Sequence, residues 1–149
     1  MENKNSHLES LGKEFLNLAK GRHIENPEML IELRPLPKDI KKIIHVKNAG
    51  VGITRKVIKH ITEQRGQDAL YILRSIPDIL ARPSKIAKNN SKRPNSFLFA
   101  KMNGRAKAII LELQNNHECS LIVSAFLMDK KTFKKLVDIS GRSDVPSSG

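Results

Sequence analysis

Cysteine occurs once, at Cys119, and tryptophan not at all. A single thiol excludes an intrachain disulfide framework and a cysteine-rich zinc site. The aromatic residues are five Phe and Tyr71, too few for a single-strand binder built on stacked rings. Acidic residues are sparse and scattered, 15 against 27 Lys and Arg, which argues against ion storage and against the carboxylate clusters of a two-metal nuclease. No apolar run reaches the roughly 18–20 residues of a membrane span. The opening MENKNSHLES lacks the apolar core of a secretory signal. Gly50-Val51-Gly52 is too short for either nucleotide-binding glycine fingerprint, which disfavours an NTPase.

What is present is a basic chain with enough apolar residues for one core. Of 149 residues 39% are hydrophobic, and the net charge is +12. Such a balance predicts a cytoplasmic protein with a polyanionic partner, no membrane and no cofactor. Residues 1–50 carry 9 basic and 7 acidic groups, residues 51–100 carry 10 and 3, and residues 101–149 carry 8 and 5. The middle third therefore holds most of the excess, a surface suited to neutralising phosphates.

Periodicity predicts an amphipathic helix over 6–20, with a Ser6/Glu9 capping box and Gly21 as its stop. MLIELR (29–34) predicts a strand ended by Pro35 and Pro37. Residues 38–46 fit a helical turn or a strand, and Gly50-Val51-Gly52 reads as a turn. Thr54 predicts the N-cap of a helix closed by Gly66. Asp68 is expected to cap a second helix that breaks near Pro77, followed by a loop to Pro83. After a basic loop at 89–96, SFLFAKM and AKAIILEL predict a hairpin about the Asn103-Gly104-Arg105 turn, and 119–128 a further strand. A last helix follows Asp129. The expected class is α+β, with helices on a three- to four-stranded antiparallel sheet. Its divisions are an N-terminal helical extension at 1–27, a main domain at 28–138 and a disordered tail at 139–149.

Five histidines can titrate near neutral pH, and His60 differs from the rest. It sits within a helix one turn after Lys56, so an imidazole and an ammonium share a face beside the apolar residues Val57, Ile58 and Ile61. Alternation puts Lys101 on the same strand face as Phe97 and Phe99. Ser124 lies mid-strand among apolar neighbours. Arg65, at the end of the His60 helix, and Arg82, Lys85 and Arg93 add cationic groups. No His, Cys, Asp or Glu cluster has metal-ligand spacing.

The order of ITRKVIKHITEQRG, SIPDILARPSKI, FLFAKMNGRAKAIILEL and LIVSAFLM resembles the phage and polymorphic-toxin branch of the barnase–EndoU–colicin–RelE-like nucleases. The resemblance rests on Lys56 and His60, on Ile76 to Pro83, on Lys101, and on Ser124 with Phe126, over roughly residues 28–128. It implies a metal-independent ribonuclease that acts on RNA such as tRNA and is matched by an immunity or antitoxin protein. It further implies catalytic roles for His60, Lys56, Lys101 and Ser124, with Arg65, Arg82, Lys85 and Arg93 along the RNA backbone. Residue chemistry alone leaves open a non-catalytic RNA- or DNA-binding module and an interaction protein for an acidic partner.

Overall fold

The computed structural model describes residues 4–18, 21–89, 95–114 and 119–141. The chain runs α1 (Lys4–Leu16), β1 (Leu30–Glu32), α2 (Lys38–Ile44), β2 (Gly50–Thr54), α3 (Arg55–Arg65), a 3-10 turn (Gly66–Asp68) and α4 (Ala69–Ala81). It continues through β3 (Lys85–Lys88), β4 (Ser96–Asn103), β5 (Arg105–Glu112), β6 (Cys119–Met128) and α5 (Lys130–Lys135). The class is α+β as expected. The sheet, however, has six strands in the order β1-β2-β6-β5-β4-β3, not three or four. It is mixed, because β2 and β6 are parallel.

The added strands come from segments with weak local signals. Gly50-Val51-Gly52 is strand, not turn: Val51 and Ile53 alternate into the core, and apolar burial outweighs glycine's preference for turns. Gly52 is needed because the Leu30 side chain lies over it; a Cβ there would stand 2.6 Å from Leu30 Cδ1. Lys85–Lys88, beyond the loop expected to end at Pro83, pairs antiparallel with β4 and buries Ile86 and Ala87.

Pro77 does not break its helix. α4 continues through it, because Ile72, Leu73, Ile76, Ile79 and Leu80 form one buried stripe on both sides of the proline. Burying that stripe outweighs the lost amide, and Ser75 Oγ also bonds back to the Tyr71 carbonyl at 2.8 Å. Asp68 makes no cap bond and instead accepts from Arg105 Nη1 at 3.1 Å. α1 begins at Lys4, ahead of the expected Ser6 cap, and ends at Leu16 rather than near Gly21.

The ends of α3 are as read. Thr54 Oγ1 accepts from the Val57 amide, and Gly66 closes the helix at φ 53°. The β4–β5 hairpin turns at Gly104, φ 78°. Asp129 caps α5 through the Thr132 amide, but that helix stops at Lys135. Beyond it the Ile139 amide donates to the Ile86 carbonyl at 2.7 Å, so 136–140 run along β3. Of the expected tail, 142–149 lie outside the described residues.

Helices α3 and α4 pack on the sheet, α1 packs on α3 and α4, and α5 contacts β5. Leu8, Leu11 and Phe15 of α1 share one core with Ile58 and Ile61 of α3, the α4 stripe, and Phe99, Ile109, Leu111, Ile122 and Ala125 of the sheet. A bulge lies in β6, where Ile110 pairs with Ser124 but Leu111 with Ile122. The extra residue, Val123, resets the alternation so that both Ile122 and Ala125 reach the core.

Candidate active site

α3 divides its residues between two stripes. Ile58, Ile61 and Thr62 face the core, and Arg65 continues that stripe over the sheet. Lys56, Lys59, His60 and Glu63, at i, i+3, i+4 and i+7, form a polar stripe on one side of the helix. Residues 21–29 run along this second stripe as a strap. Its Pro27 and Met29 carbonyls accept the Lys56 and Arg55 amides at 2.9 and 3.0 Å. Arg55 Nε donates to the Glu25 carbonyl at 3.1 Å. At the other end, the Gly21 amide donates to Glu63 Oε2 at 2.6 Å. From Lys56 to Glu63 is about 10 Å along a helix axis, so residues 22–24 cross beside the middle of α3.

Strap and helix flank an open cleft of about 430 Å³. Lys56, Val57, Lys59, His60 and Glu63 form one wall; Gly21, Arg22, His23, Ile24 and Pro27 form the other. Two imidazoles from separate segments therefore line one basic cleft, and both are exposed to solvent. The first amides of α3 are already bonded to the strap and to Thr54, so an anion in the cleft is met by side chains rather than by the helix end.

The charges in the cleft are ordered. Lys59, 6% exposed, donates to Glu63 Oε2 at 2.5 Å. That bond, then the Gly21 amide and the nearby Lys59 and His60 charges, hold the Glu63 carboxyl below its ordinary range despite its partial burial. Glu63 is thus an ionised anchor for the strap near neutral pH, not a proton donor. Lys56 pairs with Glu28 at 2.7 Å, but both side chains are more than half exposed, so the pair exchanges readily with a phosphate.

Glu63→Gln tests the anchor. A carboxyl whose folded pKa lies below its unfolded value adds stability above the unfolded pKa, and loses it as pH falls through the folded one. Urea unfolding should show the variant less stable than the parent at pH 7, with the gap closing as the pH drops below about 4.5, the ordinary value. A gap independent of pH would remove the charge from the explanation.

The remaining expected site residues are placed elsewhere. Lys101 lies on the helix face but is 14% exposed, with Nζ 2.7 Å from the Arg82 carbonyl and 3.3 Å from Asp78 Oδ2. It closes the C-terminus of α4 and does not line the cleft. Ser124 pairs with Ile110, on the sheet face opposite the core residues Ile109 and Ala125. Arg65 Nε donates to the Ala125 carbonyl at 3.3 Å, and its guanidinium lies 5.8 Å from the Phe126 ring centroid. Lys85 Nζ donates to the Phe133 carbonyl at 2.9 Å, at the end of α5. Arg82 is exposed at the end of α4, and Arg93 lies outside the described residues. His60 and Lys56 are therefore brought together, without Lys101 or Ser124. His23, Arg22, Lys59 and Glu63 join them. His23 lies in the irregular strap, and no local pattern marks it as the partner of a histidine 37 positions away.

Among the described residues, no three of His, Cys, Asp and Glu are grouped as metal ligands would be, and no helix is long and apolar enough to cross a membrane. No family model, curated protein or solved structure matches the chain.

Proposed function

We propose that the chain is a metal-independent endoribonuclease whose active site is the strap–α3 cleft. The observation that carries this reading is that His23 and His60 line one cleft with Arg22, Lys56 and Lys59. Cleavage without a metal uses the substrate's 2′-OH as nucleophile. One imidazole takes the 2′-OH proton while the oxygen attacks phosphorus, and the other protonates the departing 5′-oxygen. The products are a 2′,3′-cyclic phosphate and a 5′-OH. Arg22 and Lys56 face the phosphate and offset the charge that grows on its oxygens. Lys59 acts through Glu63 to keep the strap, and with it His23, against the helix. The resemblance to the toxin branch of the barnase–EndoU–colicin–RelE-like nucleases supports the same chemistry through Lys56 and His60 alone, since Lys101 and Ser124 lie outside the cleft. In this reading RNA such as tRNA is the substrate and an immunity or antitoxin protein the partner.

The test is incubation with total RNA and with tRNA in EDTA, followed by end-group analysis. Cleavage should persist in EDTA and leave cyclic phosphate ends. A 2′-deoxy substitution at the cleaved nucleotide should block it, because the nucleophile is gone. Cleavage that requires added Mg²⁺, or that proceeds equally on DNA, would overturn the mechanism. Tight RNA binding without cleavage would make the domain a binding module.

A further inference from the structure

A second cationic concavity lies away from the cleft, at the C-terminal end of α2. Lys38, Lys41, Lys42, His45 and Lys47 line it with Val46, around a volume of about 650 Å³. Among the described residues no carboxylate lines it; Asp39, the acidic residue of the first turn, is not among its walls. None of the four ammonium groups has an ion-pair or hydrogen-bond partner among the described residues.

The shape comes from the helix end. His45 adopts a left-handed conformation, φ 56° and ψ 47°, and its amide donates to the Lys42 carbonyl. The next amide, of Val46, donates to the Lys41 carbonyl at 3.1 Å. This closure folds the chain back on the last turn and sets Lys47 beside Lys41 and Lys42. A non-glycine residue in that conformation is uncommon. The α2 dipole favours cations at this end, but only Lys41 and Lys42 lie in the last turn. Lys38 lies one turn from both, where like charges repel, and Lys47 adds a fourth charge with no acid to offset it.

We propose that this patch is a second phosphate-binding site, which holds the backbone of an RNA strand away from the bond that is cut. The identity of the polyanion rests on the ribonuclease reading; the patch itself does not. α2 precedes β2 and the cleft follows it, and a five-residue strand spans roughly 17 Å. One phosphate cannot occupy both places, whereas a strand of several nucleotides can, with about one charge per 3.4 Å. Lysines supply point charges without the fork that reads base edges. No aromatic ring lines the patch, so bases are not stacked there, and Val46 alone offers little apolar surface to a lipid bilayer.

The probe is a fluorescent 20-nucleotide RNA with 2′-O-methyl groups throughout, which cannot be cut by transphosphorylation. Its binding to the full chain is followed by anisotropy across a salt series. Changing Lys38, Lys41, Lys42 and Lys47 together to Gln should weaken binding at least tenfold near 0.1 M salt, and make the log–log salt slope shallower by about 2–3. Lys42→Gln with Lys47→Gln, both at exposed positions, should give about half that change and guards against a folding defect in the fourfold variant. Unchanged affinity and slope in variants that melt with the parent would overturn the proposal. So would loss of binding to phosphatidylserine vesicles with RNA binding intact, since the patch would then be a membrane contact. A parent that cuts no RNA yet shows the patch-dependent slope would sink the ribonuclease reading and leave the second site standing.

Discussion

His60→Ala should lower RNA cleavage by about 10²-fold or more, the usual scale for a positioned acid–base group, while RNA affinity changes by less than about tenfold. The two effects separate because phosphate neutralisation dominates affinity, and Arg22, Lys56 and the α2 lysines remain. Folding should not confound the result. His60 is exposed on α3, and Ala is the better helix former. His23→Ala should give a loss of similar size, and the double variant little more than either single one, because groups that act on one proton-transfer sequence are not additive. Single-turnover cleavage with anisotropy on the same RNA checks all of this. Full activity in His23→Ala beside an inactive His60→Ala would remove the paired-imidazole mechanism and leave His60 to act with another donor.

Phe15→Ala should destabilise the fold by about 3–5 kcal/mol, the range for truncating a fully buried aromatic side chain. Domains of this size are stable by only about 5–15 kcal/mol, so a large share of the total would be lost. Phe15 is 1% exposed and lies under the Arg55 guanidinium, 5.3 Å from its ring centroid. Its helix is held closely against α4: a Cβ on Gly12 would come within 2.6 Å of Leu73 Cδ1. Urea unfolding measures the loss, and an unchanged midpoint and slope would show that α1 is an appendage to the core. Activity should fall with stability, because α1 packs against α3, the helix along which the strap lies. A variant that is destabilised but fully active at low temperature would show that the strap holds its place through α3 alone.

The cationic end of α2 shows why charge summed over long stretches conceals a site. Residues 1–50 carry only two more basic than acidic groups, yet none of the acidic members of that stretch among the described residues lines the patch. Folding separates charges that are close in sequence, and a net count cannot record which side of a helix each one takes.

Local chemistry was enough for the elements whose signals are short in range. Thr54 and Gly66 mark α3 because capping and helix closure involve residues within one turn. The β4–β5 hairpin follows from alternation about Gly104, and Lys56 with His60 from a four-residue spacing. Elements held by distant partners were not legible. Pro77 remains inside α4 because a buried stripe on both sides outweighs one missing amide. Gly50–Thr54 is strand because β1 and β6 pair with it. Lys101, which shares a strand face with core aromatics, meets Asp78 and the Arg82 carbonyl only once α4 packs over β4. The candidate site divides in the same way. His60 and Lys56 are found by helical period, whereas His23 reaches them only because the Glu63–Gly21 bond and the capped end of α3 lay the strap along the helix. Periodicity is carried by neighbours along the chain, but a cleft is formed by surfaces that meet only when the core closes, and that closure depends on burial summed over the whole fold.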